Sequence, residues 1–167
     1  MELDGSESLF EVSRGERLVD TLRSRAGLVS IKQGCAQGRC GACTVLLNDQ
    51  PVAACLVLTL QVDGQRVDTL EGLHARGLLR DLQEALIEGG AVACGHCTPG
   101  MLLAAHAVLM RFSRPSLKQI REGLEGNNCR CGCKGRIVAA VRKAALRRAS
   151  QGRLNPPRGV KVVKDGY

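Results

Sequence analysis

Aromatic side chains are nearly missing: the 167 residues hold no Trp, one Tyr and two Phe. A core this poor in rings has to be built from Leu, Val and Ala. Single-stranded nucleic acid, which binds by stacking bases on aromatic platforms, would find almost none here. That argues against the nucleic-acid reading that a net charge of +8 otherwise invites, as does the scatter of Arg over helical faces rather than in one block. Long hydrophobic runs are absent too. The longest lie near Ala53–Leu60 and Met101–Met110, short of the ~18 residues that suggest a membrane span. Residues 1–30 lack the basic start and apolar stretch of an export signal, so the expected location is the cytoplasm. No nucleophile, acid–base pair or phosphate-cradling glycine loop points to substrate chemistry on this chain.

What the sequence has in abundance is cysteine. Nine Cys in a reducing compartment read as metal ligands before disulfides, and an odd number would leave one unpaired. The 44% hydrophobic content excludes disorder, while the size admits one domain or two small ones, marginal on an apolar core alone. Charge divides along the chain: residues 1–74 sum to −3, residues 75–149 to +8 and residues 150–167 to +3. Two bound clusters of four thiolates each, about −2 apiece, would bring the total to about +4.

The periodicity predicts an α+β unit followed by helices. Leu9–Val12 reads as a short strand, and Leu18, Val19 and Leu22 as a helix stopped by Gly27. A Gly- and Cys-rich loop, Gly34–Cys43, precedes a hairpin of Thr44–Leu47 and Val52–Leu60 turning at Asn48-Asp49, with a further strand at Arg66–Leu70. The pattern changes at residues 72–77. One helix carries Leu78, Leu79, Leu82, Ala85 and Leu86, ended by Gly89-Gly90. A second opens at Thr98-Pro99, with Thr98 as cap. A third, Leu117–Glu125, follows the capping box Ser116-x-x-Gln119, and a fourth carries Ile137, Val138, Val141, Ala144 and Ala145. Residues 150–167 read as a basic tail.

The first cysteine set is Cys35-x4-Cys40-x2-Cys43-x11-Cys55, and its first three members reproduce the plant-type 2Fe–2S spacing. Thiolates converging on two irons need a tight loop with its amides turned inward, and Gly34, Gly38 and Gly41 would permit the positive φ this demands. Cys55 would arrive from the following strand. Zinc, which favours C-x2-4-C pairs, and a disulfide framework are the competing readings. The second set is Cys94-x2-Cys97 with Cys129-x-Cys131. Alone it could be a redox dithiol or half a zinc site. However, Cys97 directly precedes a helix start, where free N–H groups and the dipole favour an anionic cluster.

Together these motifs resemble the small iron–sulfur subunit of the molybdenum hydroxylase, or xanthine dehydrogenase, family. The residues that carry the likeness are Cys35-x4-Cys40-Gly-Ala-Cys43-Thr-Val with Cys55, then Cys94-Gly-x-Cys97-Thr-Pro-Gly-Met and Gly126-Asn-x-Cys129-Arg-Cys131. The resemblance, spanning about Leu18 to Ala145, implies an α+β fold. Residues 1–74 would be a β-grasp plant-type ferredoxin domain, holding an outer 2Fe–2S cluster through Cys35, Cys40, Cys43 and Cys55. Residues 75–149 would be a four-helix-bundle domain, holding an inner cluster through Cys94, Cys97, Cys129 and Cys131. It further implies electron relay from a molybdopterin site on a large subunit, usually to FAD on a medium subunit, in a heterotrimer or a dimer of heterotrimers. A free two-cluster ferredoxin-like carrier is the alternative.

Departures from the family pattern gather at the second set. Ala93 stands where a Gln contacting the pterin is common, and His96 and Lys134 stand where aromatics are usual. Cys133 replaces a glycine as a ninth thiol. The expected consequence is a more polar inner site and an unchanged outer one. His74 and His106 read as a boundary residue and a helix-face residue, and the basic run Arg142–Arg148 as a solvated face.

Overall fold

The structure, a computed structural model, describes residues 1–152. The chain opens with β1 (Glu2–Leu3), which turns back on β2 (Ser6–Glu7) through Asp4 and Gly5, both at positive φ. Leu9–Val12 forms no strand. The sheet instead takes the first residues, because the Asp4 carboxylate accepts the N–H of Thr69 at 2.7 Å and its hydroxyl at 2.6 Å, tying the start of the chain to the end of β5. Helix α1 (Leu18–Ser24) follows as expected. The hairpin β3 (Thr44–Leu47) and β4 (Gln50–Ala53) closes through Asn48 and Asp49 at φ 48° and 68°, the left-handed pair of a type I′ turn. With β5 (Arg66–Asp68) the sheet order is β2-β1-β5-β3-β4, β5 running parallel to β1 and antiparallel to β3.

The expected strand over Val52–Leu60 stops at Ala53. Beyond it the chain tightens into 3-10 turns at Ala54–Leu56 and Thr59–Val62. One local and one distant bond displace the ladder here: the Gln61 side chain accepts the N–H of Leu58 at 3.0 Å, and the Thr59 hydroxyl meets that of Thr21, 38 residues earlier, at 2.7 Å. Cys55 therefore sits in a turn.

Helix α2 (Leu70–Ala75) crosses the expected boundary. Six residues are too few to show a 3.6 repeat, and the signal for it is its cap, since Thr69 Oγ1 accepts the N–H of Gly72. Four longer or better-marked helices follow: α3 (Arg80–Glu88), α4 (Thr98–Arg111), α5 (Leu117–Gly123) and α6 (Lys134–Ser150). The cap of α4 is Cys97, not Thr98, with Pro99 in the first turn. The Ser116–Gln119 capping box is formed in both directions. Helix α6 extends past the apolar stripe at both ends. Its basic run is pinned to α3, Arg148 Nε donating to Asp81 at 3.2 Å and Lys143 approaching Glu88 at 2.8 Å. The remainder of the expected tail, residues 153–167, lies outside the described residues. No described helix is long and apolar enough to cross a membrane.

Two aliphatic clusters form the interior. Leu18, Val19, Leu22, Ile31, Val45, Val62 and Val67 pack between α1 and the sheet. Leu46 joins the second cluster with Leu73, Leu82, Leu86, Met101, Leu103, Ile120 and Ile137. Successive residues of a strand face opposite ways, so β3 serves both clusters, Val45 one and Leu46 the other. Helix α4 is buried on nearly all sides, as an all-apolar helix should be.

On that helix His106 is buried (4% exposed), and its Nδ1 has no hydrogen-bond partner among the described residues. Burial, reinforced by the nearby Arg148 charge, holds its pKa down to about 4, against 6.5 for a free imidazole. The unfolded chain therefore takes up this proton first as the pH falls. Stability present above pH 6.5 is lost between about 6.5 and 4, by about 3 kcal/mol in all. Urea unfolding of His106→Leu should be flatter than wild type across that window. An identical pH profile would contradict this account.

Candidate metal centres

The first thiol set is wrapped by the loop between α1 and β3. Gly38 and Gly41 take φ of +72° and +68°. Gly34 does not adopt a positive φ; the third left-handed residue is Ala36, at 54°. Gly34 is instead required for closeness, because a Cβ there would lie 3.0 Å from Cys40 Sγ and 3.4 Å from His96 Nε2. The amides do turn inward. Gln37 N and Arg39 N donate to Cys35 Sγ at 3.4 and 3.3 Å, and Gly38 N donates to Cys55 Sγ at 3.3 Å. Cys35 and Cys40 are partly exposed, whereas Cys43 and Cys55 are buried.

The thiols feel one another. The Gln37 N–H first, then the Cys40 side chain and the Arg39 N–H, hold Cys35 down to about 7. Burial first, with the neighbouring Cys55 and Cys40 adding, pushes Cys43 up to about 11. Cys35, Cys40, Cys43 and Cys55 are thus drawn together by two separate segments: the loop that runs up to β3 and the turn after β4.

The second set lies where two helices begin. Cys97 caps α4, and Cys133 caps α6 just beyond Cys129 and Cys131. Cys131 Sγ and Cys94 Sγ are 3.5 Å apart. Cys97 is pushed up to about 12 by burial, then by Cys129 and Cys94. Cys94 is lowered by the N–H of His96 and the Cys131 side chain. Cys94 and Cys131 are exposed, Cys97 and Cys129 half-buried. In both sets the sulfurs meet as a chain of neighbouring pairs; among the described residues no three donors close on a single ion. Four thiols per set, several served by inward N–H groups, with helix N-termini behind the second, are the donor set that suits a 2Fe–2S cluster.

The two sets are clasped together by two asparagines, of which the sequence reading used Asn127 only as part of a motif. Asn128 N donates to Cys40 O at 3.0 Å and Asn128 Nδ2 to Arg39 O at 2.8 Å. Asn127 Nδ2, buried, donates to Gly41 O at 2.8 Å and Thr44 Oγ1 at 3.1 Å. Three successive carbonyls of the first loop are therefore satisfied by two asparagines directly ahead of Cys129. Gly100 lies against the same point, where a Cβ would be 2.1 Å from Gly41 O.

Both family models match. Residues 1–77 match the 2Fe-2S iron-sulfur cluster binding domain and residues 69–142 the [2Fe-2S] binding domain. The chain belongs to the small iron–sulfur subunits of the molybdenum hydroxylase family. It is 43% identical over 150 residues to the nicotinate dehydrogenase small FeS subunit of Eubacterium barkeri, covering 90% of this chain and 96% of that one. It is 44% identical over 129 residues to the xanthine dehydrogenase iron-sulfur-binding subunit of Escherichia coli O157:H7, covering 76% and 80%. Among solved structures, quinoline 2-oxidoreductase from Pseudomonas putida 86 superposes at TM-score 0.80 and 35% identity, over 90% of this chain and 93% of that chain. The aldehyde oxidoreductase of Desulfovibrio desulfuricans superposes at 0.82 and 40% identity, over 90% of this subunit but 17% of that longer chain.

One expectation changes with this geometry. The His96 N–H serves Cys94 of the second set, while its ring reaches Gly34 beside Cys40 of the first. His96→Phe keeps that backbone N–H and removes a polar ring beside Cys40 of the first set. The expected result is a fall in the outer cluster potential by tens of millivolts, where ~59 mV is tenfold for one electron, with the inner potential moving less. Potentiometric titration followed by EPR would read both in one sample, and an unmoved outer potential would contradict this placement.

Proposed function

We propose that this iron–sulfur subunit relays single electrons from a molybdopterin site on a large subunit to FAD on a medium subunit or to another acceptor. It would hold its outer cluster through Cys35, Cys40, Cys43 and Cys55, and its inner cluster through Cys94, Cys97, Cys129 and Cys131. Residues 1–74 are then a β-grasp ferredoxin-like domain and 75–149 a four-helix domain built from α3 to α6, with 150–167 as a basic tail. The observation that carries the reading is the clasp: two four-thiol sets, brought together from opposite halves, joined at the backbone of Cys40 and the residue before Cys129. Clusters bound there supply reversible one-electron storage. The chain's own part is to hold the thiolates, aim N–H groups at them and fix the separation of the two sets.

The exposed sulfurs of Cys94 and Cys131 favour a complex over a free carrier, because a partner surface would cover them. The assembly would be a cytoplasmic heterotrimer or its dimer. Isolation of the tagged chain from its native cell tests this. A large molybdopterin-containing chain should remain bound through gel filtration, as an obligate interface above about 2,000 Å² implies. A stable iron-loaded monomer without such a chain would favour the free-carrier reading.

A further inference from the structure

Helix α6 carries basic residues and no acidic one. Lys143, Arg147 and Arg148 are drawn to the Glu88 and Asp81 carboxylates of α3. Another face of the helix lies beside α5. There Gly135, Ala139, Arg142 and Leu146 follow at steps of four, three and four, which puts them on one stripe. With Leu117 and Arg121 of α5 they line an open groove of about 420 Å³. Leu146 is 59% exposed at one end of the stripe and Leu117 38% across from it. Gly135 leaves the other end empty, since a Cβ there would meet nothing within 4 Å. No acidic residue lines the groove, and neither Arg121 nor Arg142 has an acidic partner among the described residues. The stripe begins four residues after Cys131, whose sulfur is exposed.

We propose that this groove docks a segment of the large molybdopterin-binding subunit, about three helical turns long, that presents apolar side chains with Asp or Glu beside them. This rests on the subunit reading above, and adds which face is used and what chemistry fills it. Length selects the occupant first. From Gly135 to Leu146 the helix rises about 16 Å at ~1.5 Å per residue, which matches three turns of an amphipathic helix laid in a groove. The small residues at 135 and 139 let its backbone come close. Charge selects it next: two guanidiniums without partners suit carboxylates, to which each can donate two parallel bonds. Occupants supplied by this chain itself are repelled. A second copy, groove to groove, would set the same arginines against these. Residues 153–167 bring Arg153, Arg158, Lys161 and Lys164 against one Asp, and like charges brought together oppose association. Finally, the groove continues from the helix start that presents Cys131, so one partner surface covers both.

The full-length chain, tagged and purified from its native cell with its partners, tests this through the rate at which the large molybdopterin-containing chain dissociates on dilution. Iron content and Tm are measured for every variant. Arg142→Glu should speed dissociation about tenfold, and Gly135→Leu, which fills the groove, by at least as much. Leucine is the better helix former and has room at that position, so the Tm of Gly135→Leu should not fall. Both variants should keep about four irons. Lys118→Glu makes the same charge reversal on α5 outside the groove lining and should dissociate like wild type. A photo-crosslinking amino acid placed at Leu117 should join a peptide of the large chain with carboxylates among its apolar residues. Wild-type rates in both groove variants would overturn the proposal, as would equal acceleration by Lys118→Glu. So would a crosslink to a second copy, to residues 153–167, to a flavin-binding chain or to a large-chain peptide without carboxylates. Absence of any large chain from the wild-type preparation would instead overturn the subunit reading, and the groove with it, before a variant is compared.

Discussion

Gly41→Ala should cost the chain about 4–5 kcal/mol and strip iron from both thiol sets. Two effects add. The residue sits at φ +68°, where a Cβ costs about 1–2 kcal/mol. That Cβ would also lie 2.3 Å from Gly126 O and 2.5 Å from Asn127 Nδ2, so the loops must separate. Separation breaks the bonds from Asn127 and Asn128 to the carbonyls of residues 39, 40 and 41, at about 1 kcal/mol each. Gly64→Ala is the control, having φ +66° with nothing within 4 Å of the new Cβ, and should cost only the backbone share. Chemical denaturation of both variants with iron analysis compares them. If Gly41→Ala were no worse than Gly64→Ala, the clasp would not be holding the sites together.

Cys40→Ser and Cys97→Ser should each remove about half the iron and one of two EPR signals, and not the same one. Cys40 meets Cys35 and Cys43 on the first loop, and Cys97 meets Cys129 and Cys94 at the start of α4. The clasp does not confound the test, because Asn128 bonds the carbonyl of Cys40, which serine keeps. A single substitution that abolished both signals in a folded chain would contradict the separation into two sets.

The grouping of the cysteines was legible where their spacing is local: Cys35-x4-Cys40-x2-Cys43 and Cys94-x2-Cys97 each lie within one loop. Helices α3 and α6 were legible for the same reason, from their apolar repeat, and α4 from Thr98-Pro99 at its start. What was not legible depends on distant partners. The first strand is set by Asp4 reaching Thr69, 65 residues away, and not by the apolar run Leu9–Val12. The strand after the hairpin yields to 3-10 turns because Thr59 finds Thr21. Gly34 is constrained by Cys40 and His96 rather than by its own backbone. The clasp of Asn127 and Asn128 is likewise invisible in any window of sequence, since its acceptors are more than 80 residues earlier.

The central claim is that this chain holds two 2Fe–2S clusters, one in each set. Iron, zinc and acid-labile sulfide per chain, measured on the purified oxidised protein with EPR after reduction, test it most directly. The account predicts about four irons and four sulfides, with two distinct S = ½ signals. Stoichiometric zinc without labile sulfide, or about two irons with a single signal, would contradict it.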